Sequence, residues 1–220
     1  MHAKVFEDHS DIAARLAGLG PGLTEEVIVY AVSRGEDARL TCNKYDPLTL
    51  GGTLAWGRTI RGLREVLCPT FDWELCRAGG LETVVSPDGQ VAITVTTGNS
   101  DTGRRTSPRS KYRKGIVTQG VVSQNQQLWL FPPEGGDFSA SRPQNFSPPD
   151  RKTWILLIDS SEEGIYCELS LPVAIDSDGR LGEWAERIIL GMIPRDRTLK
   201  INPADAEPDV VVEVSKKEAV

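Results

Sequence analysis

Histidine is nearly missing from this sequence. The two residues present, His2 and His9, lie at the extreme N-terminus of a 220-residue chain. That placement argues against a histidine-based catalytic triad. Cysteine is scarce as well: Cys42, Cys68, Cys76 and Cys167, with no two spaced C-x-x-C. A structural zinc site wants thiolate or imidazole ligands in close pairs, so free thiols in a reducing compartment are the simpler reading. No apolar run approaches the roughly 20 residues needed to cross a bilayer, and the N-terminus carries acidic residues in place of a signal-like apolar block. These features predict a cytoplasmic chain with no membrane contact. The nucleophile-elbow pattern G-x-S-x-G, the zinc-protease pattern H-E-x-x-H and the dinucleotide-binding glycine fingerprint do not occur.

What is present suits one globular domain. Hydrophobic residues make up 39% of the chain, enough for a core, while 21 Gly and 14 Pro imply many turns. The formal net charge of −6 argues against a general nucleic-acid coat but leaves room for a local basic face. The pattern predicts an α+β fold: a mainly antiparallel sheet, two to four helices concentrated in the N-terminal third, and a long Pro/Gly-rich loop. Within a single domain spanning 1–220, the divisions are a helical part at 1–68, a hairpin at 82–97, a flexible basic segment at 98–115, a loop at 132–150 and a sheet core at 153–214.

Several local signals carry that outline. Ser10 is placed to cap a short helix bearing Ile12, Leu16 and Leu19. Thr24 starts a second helix with Glu25 and Glu26 in its first turn, where the dipole favours them, and Gly35 is a plausible C-cap. The pair has the outline of a helical hairpin or half a helix-turn-helix, although an acidic second helix suits a DNA groove poorly. Residues 36–53 read as irregular. Trp56, Ile60, Leu63 and Leu67 then share one helix face, and Pro69 is expected to end that helix. Val91, Ile93 and Val95 alternate with Ala92, Thr94 and Thr96 after a Pro87-Asp88-Gly89 turn, predicting a half-buried hairpin. Ile116 to Phe131 is ambiguous, with a helical face opposed by Gly120 and β-branched residues and an edge strand possible at 128–131. Five prolines in 132–150 suggest a long loop. The apolar run Trp154–Ile158 and the segment Ile165–Ile175 read as two strands around a polar turn. For 181–190 a strand is preferred to a helix, because Ile188-Ile189-Leu190 is β-prone. Val210–Val214 suggests a last strand.

The strongest local departure is the basic segment. Arg104, Arg105, Arg109, Lys111, Arg113 and Lys114 follow a single acid, Asp101, with Tyr112 among them. Flexible basic arms hold phosphates by charge, and an aromatic side chain stacks on a base. These seven residues are the candidate nucleic-acid site. A competing reading has the segment meeting the protein's own acidic surface or a partner. Gly98–Gly103 lacks the lysine and the following helix of a phosphate-binding loop.

The carboxylates Asp159 and Glu168 flank a turn at the separation of a restriction-like nuclease, in which an Asp and an E-x-K pair bind Mg²⁺ beside a lysine. Here Ser170 stands where the lysine belongs, and Asp209, Glu213 and Lys216 miss the register by one. The acids Asp176 and Asp178 also fit plain turn chemistry. The sequence therefore points first to a non-enzymatic nucleic-acid-binding or macromolecular-assembly protein using residues 104–114, without cofactor or metal. A protein-binding adaptor or inhibitor is the second reading. A Mg²⁺-dependent nuclease with Asp159 and Glu168 is the third.

Overall fold

The computed structural model describes residues 3–130 and 151–195. They form an α+β fold built on one seven-stranded mixed sheet. In chain order the strands are β1 (Lys4–Phe6), β2 (Glu74–Cys76), β3 (Thr83–Val85), β4 (Val91–Thr97), β5 (Lys152–Ser160), β6 (Gly164–Ile175) and β7 (Leu181–Pro194). The helices are α1 (His9–Ala17), α2 (Glu25–Leu40), α3 (Leu50–Phe71) and α4 (Ile116–Leu130). Across the sheet the order is β1-β7-β6-β5-β4-β3-β2. Four neighbouring pairs are antiparallel; β1–β7 and β4–β5 are parallel.

The apolar run at 154–158 has a direct structural cause. A strand covered on one face alternates, whereas one covered on both faces reads as continuously apolar. Trp154 and Leu156 of β5 join Ile93, Cys167, Leu169, Leu171 and Ile188 in the larger core, together with Leu16, Ile28, Leu63 and Leu67 from α1 to α3. Ile155 and Leu157 point the other way, into a smaller core with Leu181, Trp184 and Val122 of α4. The sheet is thus sandwiched, with α1–α3 on one side and α4 on the other. The same covering makes β4 buried on both faces from Val91 to Val95, where its alternation predicted burial on one.

The helices run on past their expected stops. Thr24 caps α2, its hydroxyl accepting from the Val27 N–H at 3.4 Å. Gly35 is no C-cap; α2 continues to Leu40, and Gly35 marks where α3 comes closest. A Cβ added there would lie 2.1 Å from the Thr59 hydroxyl and 2.7 Å from the Ala55 carbonyl. Gly62 of α3 approaches Ala31 in the same way. The stretch expected to be irregular at 36–53 is therefore helical at both ends. Pro69 falls within the last turn of α3 without stopping it; Asp72, in the left-handed region at φ 57°, terminates the helix instead. Residues 128–130 belong to α4, not to an edge strand. The 181–190 segment is a strand, as its β-branched residues suggested. The strand β1, inside the part read as helical, was not apparent from its three residues.

Asn125 of α4 repairs a gap in the sheet. Pro172 has no N–H to offer β5, and the β5–β6 pairing ends at Ile155–Ser170; on its other edge β6 shifts register against β7 at the same place. The Asn125 amide donates to the Thr153 carbonyl at 2.8 Å and the Pro172 carbonyl at 3.0 Å, while its oxygen accepts from the Thr153 N–H at 2.9 Å. One side chain thus takes the place of a missing ladder rung and fixes α4 on the sheet. The loop 132–150 and the strand proposed at 210–214 lie outside the described residues.

Candidate functional site

The basic segment lies across the α4 side of the sheet. It begins where β4 ends and is tied down at intervals. Gly98 donates to the Ile158 carbonyl, Ser110 to the Leu181 carbonyl and Lys114 to the Gly179 carbonyl, at 2.9, 3.0 and 2.7 Å. The Trp184 indole N–H donates to the Pro108 carbonyl at 3.0 Å. Thr102, Gly103, Pro108 and Ser110 are buried, while residues 104–107 and 111–113 are exposed. The segment drawn above as a flexible arm is thus a series of exposed bulges between buried anchors.

Its deepest anchor is an ion pair. Arg187 of β7 faces Glu168 of β6 through two contacts, Nε to Oε1 at 3.0 Å and Nη2 to Oε2 at 2.6 Å. Both side chains are almost wholly inaccessible, 3% and 0% exposed. Such a pair is tolerable only when its remaining hydrogen-bonding capacity is met. Here it is: Glu168 accepts also from the Gly103 N–H at 2.9 Å and the Ser170 hydroxyl at 2.6 Å. Arg187 donates also to the Arg104 carbonyl at 2.7 Å. Gly103 is in the left-handed region at φ 69°, and a Cβ there would meet the Cys167 backbone at 3.1 Å. This clamp holds the 103–105 backbone onto the sheet.

The clamp also engages one of the two carboxylates of the nuclease reading. Asp159 faces Tyr166 and Glu168 faces Leu157 across the β5–β6 ladder, so the two carboxylates share a face of the sheet. Both Glu168 oxygens, however, are occupied by the guanidinium and its neighbours. Among the described residues no group of three His, Cys, Asp or Glu side chains is placed to hold a metal ion.

The candidate cations divide into three groups. Three arginines meet acids from other parts of the chain. Arg104 stacks over Tyr166 at 4.1 Å and lies 3.8 Å from Glu163. Arg105 is paired with Glu7 at 2.8 Å. Arg109 is held by Asp176 and Asp178 of the β6–β7 turn. The Asp176 carboxyl is kept below the ordinary range by the Arg180 N–H and by Arg109. Lys114 forms a second group. Its Nζ donates to the Thr96 hydroxyl at 2.5 Å, and burial lowers its pKa to about 8. Lys111 and Arg113 form the third; both are exposed, and neither has an acidic partner among the described residues. Between them stands Tyr112, 62% exposed.

A second surface was not singled out by the sequence. Beyond Glu36 and Thr59, the ends of α2 and α3 and their connection contain no buried residue. Leu40, Tyr45, Leu48 and Trp56 are all exposed there, Leu48 fully. Glu36 secures the base of this projecting tip through Arg39, Arg195 and Ser160. The Arg187–Glu168 clamp was missed too, although half of its signal is visible: Glu168 is the one charged residue in β6, whereas Arg187 shares β7 with Glu183 and Glu186.

No family model, curated protein or solved structure matches this chain.

Proposed function

We propose that the chain is a binding protein for nucleic acid, and that its contact is the corner Lys111-Tyr112-Arg113. The observation that carries this is the division of the basic segment. Three arginines face four acids, Glu163, Glu7, Asp176 and Asp178, which leaves that stretch with little positive field. Lys111 and Arg113 retain theirs beside an exposed ring, with the Lys111 ammonium 6.0 Å from the centre of the Tyr112 ring. A footprint of two free cations implies modest, salt-sensitive affinity. The counterion argument gives a slope of log K against log salt of about −1.4 for a single strand or about −1.8 for a duplex.

Fluorescence anisotropy with short labelled DNA and RNA, from low to physiological salt, tests this reading. Lys111→Gln with Arg113→Gln should flatten the slope and weaken binding, whereas Arg105→Gln, whose partner is Glu7, should change it little. Absence of binding at low salt, or binding indifferent to the double substitution, would overturn the assignment.

The exposed α2–α3 tip favours a second reading, a protein-binding adaptor. Aromatic and aliphatic side chains clustered at an exposed surface are the usual anchors of protein interfaces. A stoichiometric protein partner lost on Tyr45→Ser with Leu48→Ser would move the assignment there.

A further inference from the structure

Resting on the nucleic-acid reading, we infer that the partner is single-stranded and that Tyr112 holds it by stacking on one unpaired base. The ring is exposed, but its backbone is not loose. Lys111 donates to the Thr97 carbonyl at 2.9 Å, and the Ser110 hydroxyl donates to the Tyr112 carbonyl at 2.9 Å. Lys114 is bound to Gly179 just beyond, and Ser110 itself is fully buried. The turn therefore presents Tyr112 in a preset position, so little ordering opposes a contact there.

A duplex cannot use such a ring. Its bases are stacked and paired, and exposing one face costs a few kcal/mol. Two free cations supply too little phosphate attraction to offset that cost. Groove reading is equally unsuited, because it requires a helix or a β-ribbon that fits the groove, and this corner is an irregular turn. A single strand meets neither obstacle. One base lies on Tyr112, and its flanking phosphates meet Lys111 and Arg113, whose Cα atoms are at most about 7.6 Å apart. Base identity matters little, since every base offers a π-face.

The test compares one sequence as single-stranded DNA, single-stranded RNA, duplex DNA and a single strand made of abasic nucleotides. Intact single strands should bind at least about fivefold tighter than the duplex and the abasic strand. Tyr112→Ala should lose that about fivefold advantage, and Tyr112→Trp should keep it. Thermal unfolding of each variant checks that the exposed corner leaves the fold unchanged. Duplex binding as tight as single-strand binding, or Tyr112→Ala binding like the unaltered protein, overturns the single-strand assignment while leaving the role of Lys111 and Arg113 standing. Failure of every strand at low salt overturns both. Binding of polyglutamate but of no nucleic acid, through Lys111 and Arg113, also overturns both and makes the partner an acidic polypeptide.

Discussion

Replacing Arg187 with Met removes the charge while keeping most of the stem. The consequence follows from the surroundings of Glu168. With the guanidinium gone, a carboxylate with 0% exposure retains only the Gly103 N–H and the Ser170 hydroxyl. Breaking one side of a buried pair costs about 3–5 kcal/mol, most of it the penalty on the stranded charge. The Arg104 carbonyl loses its donor too, but it lies beside exposed chain and water can replace the bond. The further replacement Glu168→Leu should therefore recover part of the loss, because no isolated charge remains. Urea unfolding measures both variants against the unaltered chain. Arg187→Met should lower the midpoint at unchanged slope, and melting should fall by on the order of 10 °C, from about 2–4 °C per kcal/mol in a chain of this size. The double variant should lie above the sum of the two single losses by about 2 kcal/mol or more. Amide exchange at Gly103 should accelerate in Arg187→Met, because its acceptor, the Glu168 carboxylate, loses the guanidinium that keeps it in place. An Arg187→Met loss below about 1 kcal/mol, with Gly103 exchange unchanged, would refute the account of the clamp.

Two further outcomes follow from polar groups on the same side of the sheet. Asn125→Leu keeps the volume but strands the Thr153 N–H and two carbonyls, so it should cost about 3 kcal/mol by urea unfolding, at roughly 1–3 kcal/mol per stranded group; a neutral result would show that the β5–β6 gap needs no bridge. Lys114 has a folded pKa near 8 against an ordinary 10.5, so the native state sheds its proton first. Between those values the unfolded chain binds more protons, and this group's contribution to stability rises with pH. Lys114→Met should thus stabilise the protein at pH 7 and lose that advantage progressively above pH 8; a difference independent of pH would count against a desolvated ammonium.

The fold was legible where a pattern had a local cause. The Pro87-Asp88-Gly89 turn and the alternation after it mark β3 and β4, and Thr24 marks the start of α2. The ends were harder because distant chain decides them. Gly35 reads as a stop only if nothing approaches it; α3 does, and the missing side chain is what allows the approach. Pro69 reads as a breaker, yet it forfeits only its own N–H bond to the Glu65 carbonyl, and α3 runs two residues beyond it before Asp72 closes the helix. The apolar run at 154–158 showed a core strand, but that both faces were covered depended on α4, whose Val- and Gln-rich sequence leaves helix and strand nearly balanced. The parallel β1 was beyond reach, because three residues at an edge carry no period.

The candidate site shows why charge counted along the chain misleads. Residues 104–114 hold six cations with no acid among them, and the sequence alone makes them one basic arm. Folding brings Glu7 from after β1, Glu163 from the β5–β6 turn and Asp176 and Asp178 from the β6–β7 turn against the first three arginines. Each pair is at least partly exposed, and ion pairs so placed add little to stability. Their larger effect is on the field: a phosphate approaching Arg104, Arg105 or Arg109 meets a carboxylate as well. Lys114 turns inward and is unavailable for another reason, burial. What remains is two cations and a ring on a pinned turn. That is too little for tight non-specific binding of duplex, and it suits a contact in which stacking supplies what charge does not.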